Sequence, residues 1–295
     1  MDKYHDLYEQ YLKEEKQMTE NSRKAYSSDA EEFGEFLAQK GVLNPEEGSS
    51  AELVAYLMRL KTEGKSPSTV NRKLASLRCY YGFLTEKGFC KENPAAGIKA
   101  PKVERKPVEF LTVAQVEALL EKPDDSALGM RDRALLELLY GAGLRAGEAV
   151  GANVEDVNLR VGFVACGGEF GKARIVPLGR PARAALESYI YDSRGKLLRE
   201  KKEENALFVN YNGERLTRQG IWRILKEYGE MLGLEVKLTP QILRNSFAIH
   251  MIQNGADMKS VQELLGSEDL SAIRSYLSVA KTRIKDVYDR THPRA

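Results

Sequence analysis

From Asn93 to Pro107 the chain abandons apolar periodicity. Asn93-Pro94-Ala95-Ala96-Gly97 is followed by Lys99-Ala100-Pro101-Lys102-Val103-Glu104-Arg105-Lys106-Pro107, a charged run bracketed by prolines. Proline fixes φ and removes a backbone donor, and a run of charges cannot be buried, so this stretch is expected to extend rather than to join a core. It predicts a basic linker over residues 99–109 between a domain at 1–98 and a second at 110–295. A chain of 295 residues is long enough for two ordinary cores.

Everything before the linker reads as helix. Leu7, Tyr11 and Leu12 start one apolar stripe, and Tyr26, Phe33, Phe36 and Leu37 form a second after the capping candidates Thr19 and Asn21. Leu53, Val54, Leu57, Met58 and Leu60 make a third. The fourth opens at Ser66-Pro67-Ser68-Thr69, with Pro67 tolerated in the first turn, and runs through Val70, Leu74, Leu77, Tyr81 and Leu84 to Gly88. Four helices with short connections predict a compact bundle.

After Phe110 the pattern becomes mixed. Val116, Leu119 and Leu120 mark a helix, and Met130 to Leu139 a strongly apolar one. Asn158-Leu159-Arg160 opens a short β segment. Gly162–Cys166 and Ala173–Leu178 then flank the glycine-rich stretch Gly167-Gly168-Glu169-Phe170-Gly171-Lys172, which predicts a small antiparallel sheet with a turn. Helical patterns follow over Ala182–Tyr191, Thr217–Leu232, Leu243–Gln253, Ser260–Leu265 and Leu270–Tyr276.

Charge is unevenly distributed. Met1 to Glu47 holds 6 Lys/Arg against 12 Asp/Glu, whereas Arg59 to Lys106 holds 12 Lys/Arg against 4 Glu. Such a basic stripe suits a polyanion, with a merely solvated face as the alternative. The candidate phosphate contacts are Arg59, Lys65, Arg72, Lys73, Arg78, Lys99, Lys102, Arg105 and Lys106. No apolar run is long enough to span a membrane, and the charged start MDKYHDLYEQYLKEEKQ argues against a secretory signal, so a cytoplasmic, nucleoid-associated location is expected. Cys79, Cys90 and Cys166 lack metal-ligand spacing and suit packed, reduced thiols; neither metal nor cofactor is expected.

Three residues carry the chemistry. Arg145 lies in YGAGLRAGEAVG, Arg244 in TPQILRNSFAIH, and Tyr276 follows NGADMKSVQELLGSEDLSAIRS. Two guanidiniums can grip the non-bridging oxygens of a phosphodiester while a tyrosine attacks its phosphorus, although a tyrosine after an apolar turn is commonly just a packed aromatic. Guanidiniums near that tyrosine would favour its phenolate.

RDRALLELLYGAGLR (Arg131–Arg145), ARIVPLG (Ala173–Gly179), NGADMKSVQELLG (Asn254–Gly266) and the ending YDRTHPRA (Tyr288–Ala295) resemble the tyrosine recombinases, specifically the Xer-type branch of the phage-integrase family. The resemblance implies a mainly α protein: a four-helix, SAM-like core-binding domain, then an α+β catalytic domain with a small antiparallel sheet. It implies a clamp on double-stranded DNA, a tetramer on two DNA sites joined through a carboxy-terminal tail from about residue 278, and no membrane. It further implies strand cleavage and rejoining through a 3′-phosphotyrosyl bond, with Tyr276 as nucleophile, Arg145 and Arg244 as phosphate clamps and Glu148 in support.

Other positions depart from that pattern. Aligned on ARIVPLG, Glu169 stands where the family has a general-acid lysine, leaving Lys172 in the same turn as the nearby substitute. Gln241 replaces the histidine of HxxR, and Ser267 replaces the histidine or tryptophan after LLG. Asn245 stands where LRHSFA often has histidine, in a supporting place. Glutamine donates a hydrogen bond but takes no proton near neutral pH. Two functions are therefore open: a site-specific recombinase with a partly degenerate active site, or a catalytically impaired relative acting as a DNA-binding or synapsis-accessory protein.

Overall fold

Thr19, Ser49, Ser66, Thr112, Ser126, Thr217 and Thr239 each place a side-chain oxygen on an otherwise unpaired amide at a helix start, and these caps set the phase of the chain. The structure, a computed structural model, describes residues 4–103, 107–167, 173–199, 201, 203–266 and 276. It divides into two compact units, Met1–Lys106 and Pro107–Ala295.

The first unit contains α1 (His5–Glu14), α2 (Glu20–Gln39), α3 (Ser50–Thr62) and α4 (Pro67–Glu86). Its core is rich in rings: Tyr8 packs edge-on to Tyr80 at 5.0 Å between centroids, and Phe33 packs against Tyr56 at 5.2 Å. Two predicted stripes are rotated. Tyr4 and Tyr8 are buried while Leu7 is exposed, and in α3 Tyr56 takes the core position whereas Val54 and Met58 face outward. A run of mixed apolar residues fits several helical phases, and the large tyrosines remove more area from water than their neighbours do.

The start of the basic stretch is tied to α4. Arg78 donates to the carbonyls of Ala95 and Ile98, Asn93 Nδ2 donates to Arg78 O (3.0 Å), and Asn71 Nδ2 donates to Pro101 O (2.9 Å). Residues 94–97 form a turn and Ala95 is buried in the core of this unit, so the start of the stretch folds onto the helices where extension was expected; its carbonyls lack a ladder partner and α4 side chains satisfy them.

The second unit opens with α5 (Val113–Glu121) and α6 (Ala127–Gly141), whose Leu135, Leu136, Leu138 and Leu139 are wholly buried. After α7 (Ala146–Gly151) come β1 (Val157–Asn158), β2 (Phe163–Cys166) and β3 (Arg174–Pro177), an antiparallel sheet in the order β1-β2-β3 with Val164 opposite Val176 and Cys166 opposite Arg174. The first strand begins at Val157, and Leu159 to Gly162 form the turn where strand was expected to start. One face of the sheet buries Val164 and Val176, and alternation leaves Ile175 exposed.

Next is α8 (Arg180–Ser188), which passes through a π-helical turn (Tyr189–Ser193) into α9 (Arg194–Leu198). Then follow α10 (Arg218–Met231), α11 (Pro240–Gln253) and α12 (Met258–Leu265). The predicted start of α12 at Ser260 moves back to Met258 because Asp257 caps the amides of Lys259 and Ser260. Of the predicted helix Leu270–Tyr276, all but Tyr276 lies outside the described residues, as do Glu169, Lys172, Ser267, Arg105, Lys106 and the tail from residue 278.

Candidate active site

Arg145 sits at the start of α7, after a tight turn in which Gly143 has φ +58°. A Cβ on Gly143 would lie 2.7 Å from Phe247 Cδ1, so glycine is required both by conformation and by space. Three residues on, Glu148 turns back: its Oε2 accepts the Arg145 backbone N–H at 2.7 Å and its Oε1 accepts Arg145 Nη1 at 3.1 Å. Arg174 on β3 grips the same carboxylate with Nη1 on Oε1 (2.6 Å) and Nη2 on Oε2 (3.1 Å). The Glu148 side chain is fully buried. Burial alone would push its carboxyl up, but hydrogen bonds from Arg174 and the Arg145 amide, with both positive charges, hold it below the usual range.

Arg244 comes from α11, which Thr239 caps and Pro240 opens. Its guanidinium is buried and donates to Gly143 O and Leu265 O. Arg145 Nη2 donates to Gly266 O at 3.2 Å, and Arg174 Nε to Leu264 O at 2.5 Å. Three arginines therefore meet successive carbonyls at the end of α12, where unpaired C=O groups and the helix dipole favour positive charge. Burial pushes the Arg244 pKa down to about 10, with the Arg145 charge acting the same way; at neutral pH it stays a cation. A cluster of like charges stabilised by carbonyls and one carboxylate is pre-organised for an additional anion.

Tyr276 is buried, and its hydroxyl donates to Asn245 Oδ1 at 3.0 Å. Gln241 Nε2, one helical turn before Asn245, donates to the same oxygen at 2.8 Å. Asn245 Nδ2 in turn donates to Glu109 O at 2.9 Å. Burial raises the Tyr276 pKa, and the charges of Arg244 and Arg145 and a hydrogen bond from Gln241 only partly oppose it. The guanidiniums act in favour of the phenolate and desolvation outweighs them, so the hydroxyl rests protonated.

Arg145, Glu148, Arg244, Gln241 and Tyr276 come together in the second unit. Asn245, expected in a supporting place, joins them, and so does Arg174, which was not selected from sequence. The signal for Arg174 was an arginine opening an apolar strand in ARIVPLG; for Asn245 it was the four-residue spacing from Gln241 on one helix face. A cavity of about 280 Å³ adjoins Glu148, lined also by Asp156, Ala165 and Cys166. Burial pushes the Cys166 thiol up to about 11, which keeps it protonated beside the site. His250 is buried, with its Nδ1 3.0 Å from the Tyr140 hydroxyl. Among the described residues no group of His, Cys, Asp and Glu is arranged to hold a metal ion, and no helix is long and apolar enough to cross a membrane.

The basic candidates of the first unit separate into two kinds. Arg59, Lys65, Lys99 and Lys102 are exposed, Arg59 being shared with Glu63 at 2.7 Å. Lys73 is different: it is buried and donates to Asp29 Oδ1 (2.9 Å) and Glu32 Oε2 (2.6 Å), so its predicted contact with phosphate is corrected to an internal ion pair. Arg72 is exposed yet paired with the buried Asp29, and Arg78 is engaged with the backbone of the following segment.

A separate helical unit is followed by a unit in which arginines and a tyrosine meet beside a small antiparallel sheet. Residues 109–283 match the phage integrase family, and residues 6–88 match the phage integrase N-terminal SAM-like domain. The chain belongs to the phage integrase family, the tyrosine recombinases. It is 39% identical over 286 residues to the tyrosine recombinase XerD of Oceanobacillus iheyensis, covering 97% of this chain and 96% of that one. With XerD of Listeria innocua it shares 40% over 292 residues, 98% of each chain. The fold is similar to XerH recombinase in a post-cleavage complex with a palindromic difH substrate (TM-score 0.76, 21% identity, 96% of this chain and 83% of that one). It is also similar to a lambda integrase dimer on a COC′ core site (TM-score 0.69, 18% identity, 92% and 93% covered).

Proposed function

We propose that this chain is a site-specific recombinase that cleaves and rejoins duplex DNA, with Tyr276 as nucleophile and Arg145 and Arg244 as the phosphate clamp. The observation that carries the reading is the meeting of Arg145, Arg174 and Arg244 on the carbonyl end of α12, with the Tyr276 hydroxyl held by the helix that bears Arg244. The Tyr276 phenol loses its proton to solvent, its oxygen attacks the scissile phosphorus, the bond from phosphorus to the 5′-oxygen breaks, and that oxygen leaves as a hydroxyl after taking a proton. Lys172 is assigned as the donor of that proton. The 3′-phosphotyrosyl bond retains the energy of the phosphodiester, so a 5′-hydroxyl of a partner strand reverses the step without an external energy source.

Glu148 fixes Arg145, and Gln241 and Ser267 serve as neutral donors to phosphate oxygens. Arg59, Lys65, Lys99, Lys102, Arg105 and Lys106 are assigned to the DNA backbone, where such contacts set register and affinity rather than sequence choice. Four protomers on two DNA sites, linked through the tail from about residue 278, complete the assembly, which acts in the cytoplasm at the nucleoid.

Glu169 and Gln241 favour a second reading, in which the clamp binds DNA and supports synapsis but cleavage is largely lost. A carboxylate near the leaving group repels phosphate, and loss of one general acid or base commonly removes about 10²–10⁴ in rate. A nicked suicide DNA substrate separates the two: the recombinase forms a covalent adduct that disappears in Tyr276→Phe. Tight binding with no adduct would overturn the enzymatic reading in favour of the accessory one.

A further inference from the structure

Asn245 has its orientation fixed from both ends. Its Nδ2 donates to the backbone carbonyl of Glu109, which can only accept, so the amide oxygen must face Gln241 and Tyr276. That oxygen accepts from Gln241 Nε2 at 2.8 Å and from the Tyr276 hydroxyl at 3.0 Å. Both of its lone pairs are engaged, and it has no proton to give. Asn245 is itself buried, and Ser246 anchors the same segment by accepting the Leu111 N–H at 2.8 Å.

We propose that Asn245 is a positioning residue for the Tyr276 nucleophile, holding its hydroxyl as a protonated donor in DNA-free protein and releasing it when the phenol ionises. The chemistry is asymmetric. A phenol satisfies the amide oxygen, whereas a phenolate facing that oxygen places two acceptors together. Gln241 prefers the opposite state, because its N–H can donate to a phenolate. The pair thus forms a two-position holder: Asn245 retains the phenol, and Gln241 with Arg244 and Arg145 receives the phenolate. Among the described residues the charged groups acting on Tyr276 are Arg244 and Arg145, both favouring ionisation. The amide therefore opposes the arginines, and attack awaits whatever shifts that balance. The inference rests on Tyr276 being the nucleophile.

The test replaces Tyr276 in the full chain with 3,5-difluorotyrosine, whose weaker proton affinity brings ionisation into a range where the fold is intact, and follows the single ¹⁹F signal against pH without DNA. Removing the acceptor with Asn245→Ala is expected to move the midpoint down by about one pH unit, the worth of one hydrogen bond to the neutral form. Asn245→Asp, of the same shape though without the donor to the Glu109 carbonyl, should move it up once the aspartate is ionised, since a carboxylate holds the phenol more strongly and repels its anion. Unchanged midpoints, or shifts in the same direction in both variants, would overturn the proposal; if the alanine variant does not fold, the aspartate arm decides alone. Suicide-substrate trapping keeps the two readings apart. An adduct with unmoved midpoints removes the role of Asn245 and leaves the recombinase, while opposed shifts with no adduct leave the holder in place and remove the recombinase.

Discussion

Arg174 and Glu148 form a two-pronged pair in which both carboxylate oxygens are engaged, at 2.6 and 3.1 Å, with neither side chain open to solvent to any extent that matters. The pair joins β3 to α7, and through Arg174 Nε it also reaches the last turn of α12. Strand, helix start and helix end are thereby held in one geometry, and that geometry aims Arg145.

Removing Arg174 is therefore expected to act on both stability and chemistry. Arg174→Ala leaves a buried carboxylate with half its partners gone, a change that costs about 3–5 kcal/mol. Urea unfolding should show that loss, and adduct formation should fall because Arg145 loses its fixed support. A variant as stable as the parent would contradict the burial of the pair.

The same pair sets an acid limb. The folded-state pKa of Glu148 lies below its unfolded value, so its contribution to stability is complete above the unfolded pKa of about 4.3 and is lost as pH falls through the folded value. Glu148→Gln should lower stability near neutrality and flatten the fall between about pH 5 and the folded value. Thermal unfolding at a series of pH values measures it, and parallel curves for both proteins would exclude the assignment.

Lys73 and Lys99 are expected to part company. Lys73 neutralises Asp29 and Glu32 inside the helical unit, so Lys73→Ala should destabilise that unit while leaving the salt dependence of DNA binding nearly intact. Lys99 is exposed, and Lys99→Ala should reduce the slope of log affinity against log salt by about one. Fluorescence anisotropy across a salt series distinguishes them; a lower slope for Lys73→Ala would restore it to the phosphate set.

These contrasts show where sequence was readable. Some helix starts were legible from a side-chain cap or an N1 proline, as at Ser66-Pro67, whereas α11 and α12 begin earlier than expected, at the caps Thr239 and Asp257. The core face of α1 was not, because Leu7 and Tyr8 fit adjacent helical phases and only packing against Tyr80 and Phe83 selects between them. Within the site, Arg145, Arg244 and Tyr276 stood out through motifs, since their chemistry is local to each residue type. Arg174 did not, because its role comes from partners far along the chain, Leu264 and Glu148; Asn245 was placed in support by its motif, but its partners Glu109 and Tyr276 were hidden for the same reason. Lys73 misled for the same reason, as charge in a sequence says nothing of the carboxylates that fold beside it.

Gln241 offers the sharpest chemical prediction. It stands one turn before Asn245, whose amide oxygen also holds the Tyr276 hydroxyl, yet a carboxamide cannot take a proton. A histidine there would supply a base whose neutral form prevails above its ordinary pKa of about 6.5. Gln241→His is therefore expected to raise the rate of adduct formation on the suicide substrate by at least about tenfold near pH 8, toward the lower end of what a placed general base contributes. The gain should shrink as pH falls below about 6.5, where the imidazole is protonated and offers the phenol only a donor. Single-turnover trapping from pH 5.5 to 8.5, the range that brackets that pKa at about one unit below and two above, reads both features. An equal gain at every pH would assign the effect to packing, and no gain at any pH would show that proton removal from Tyr276 does not limit the step.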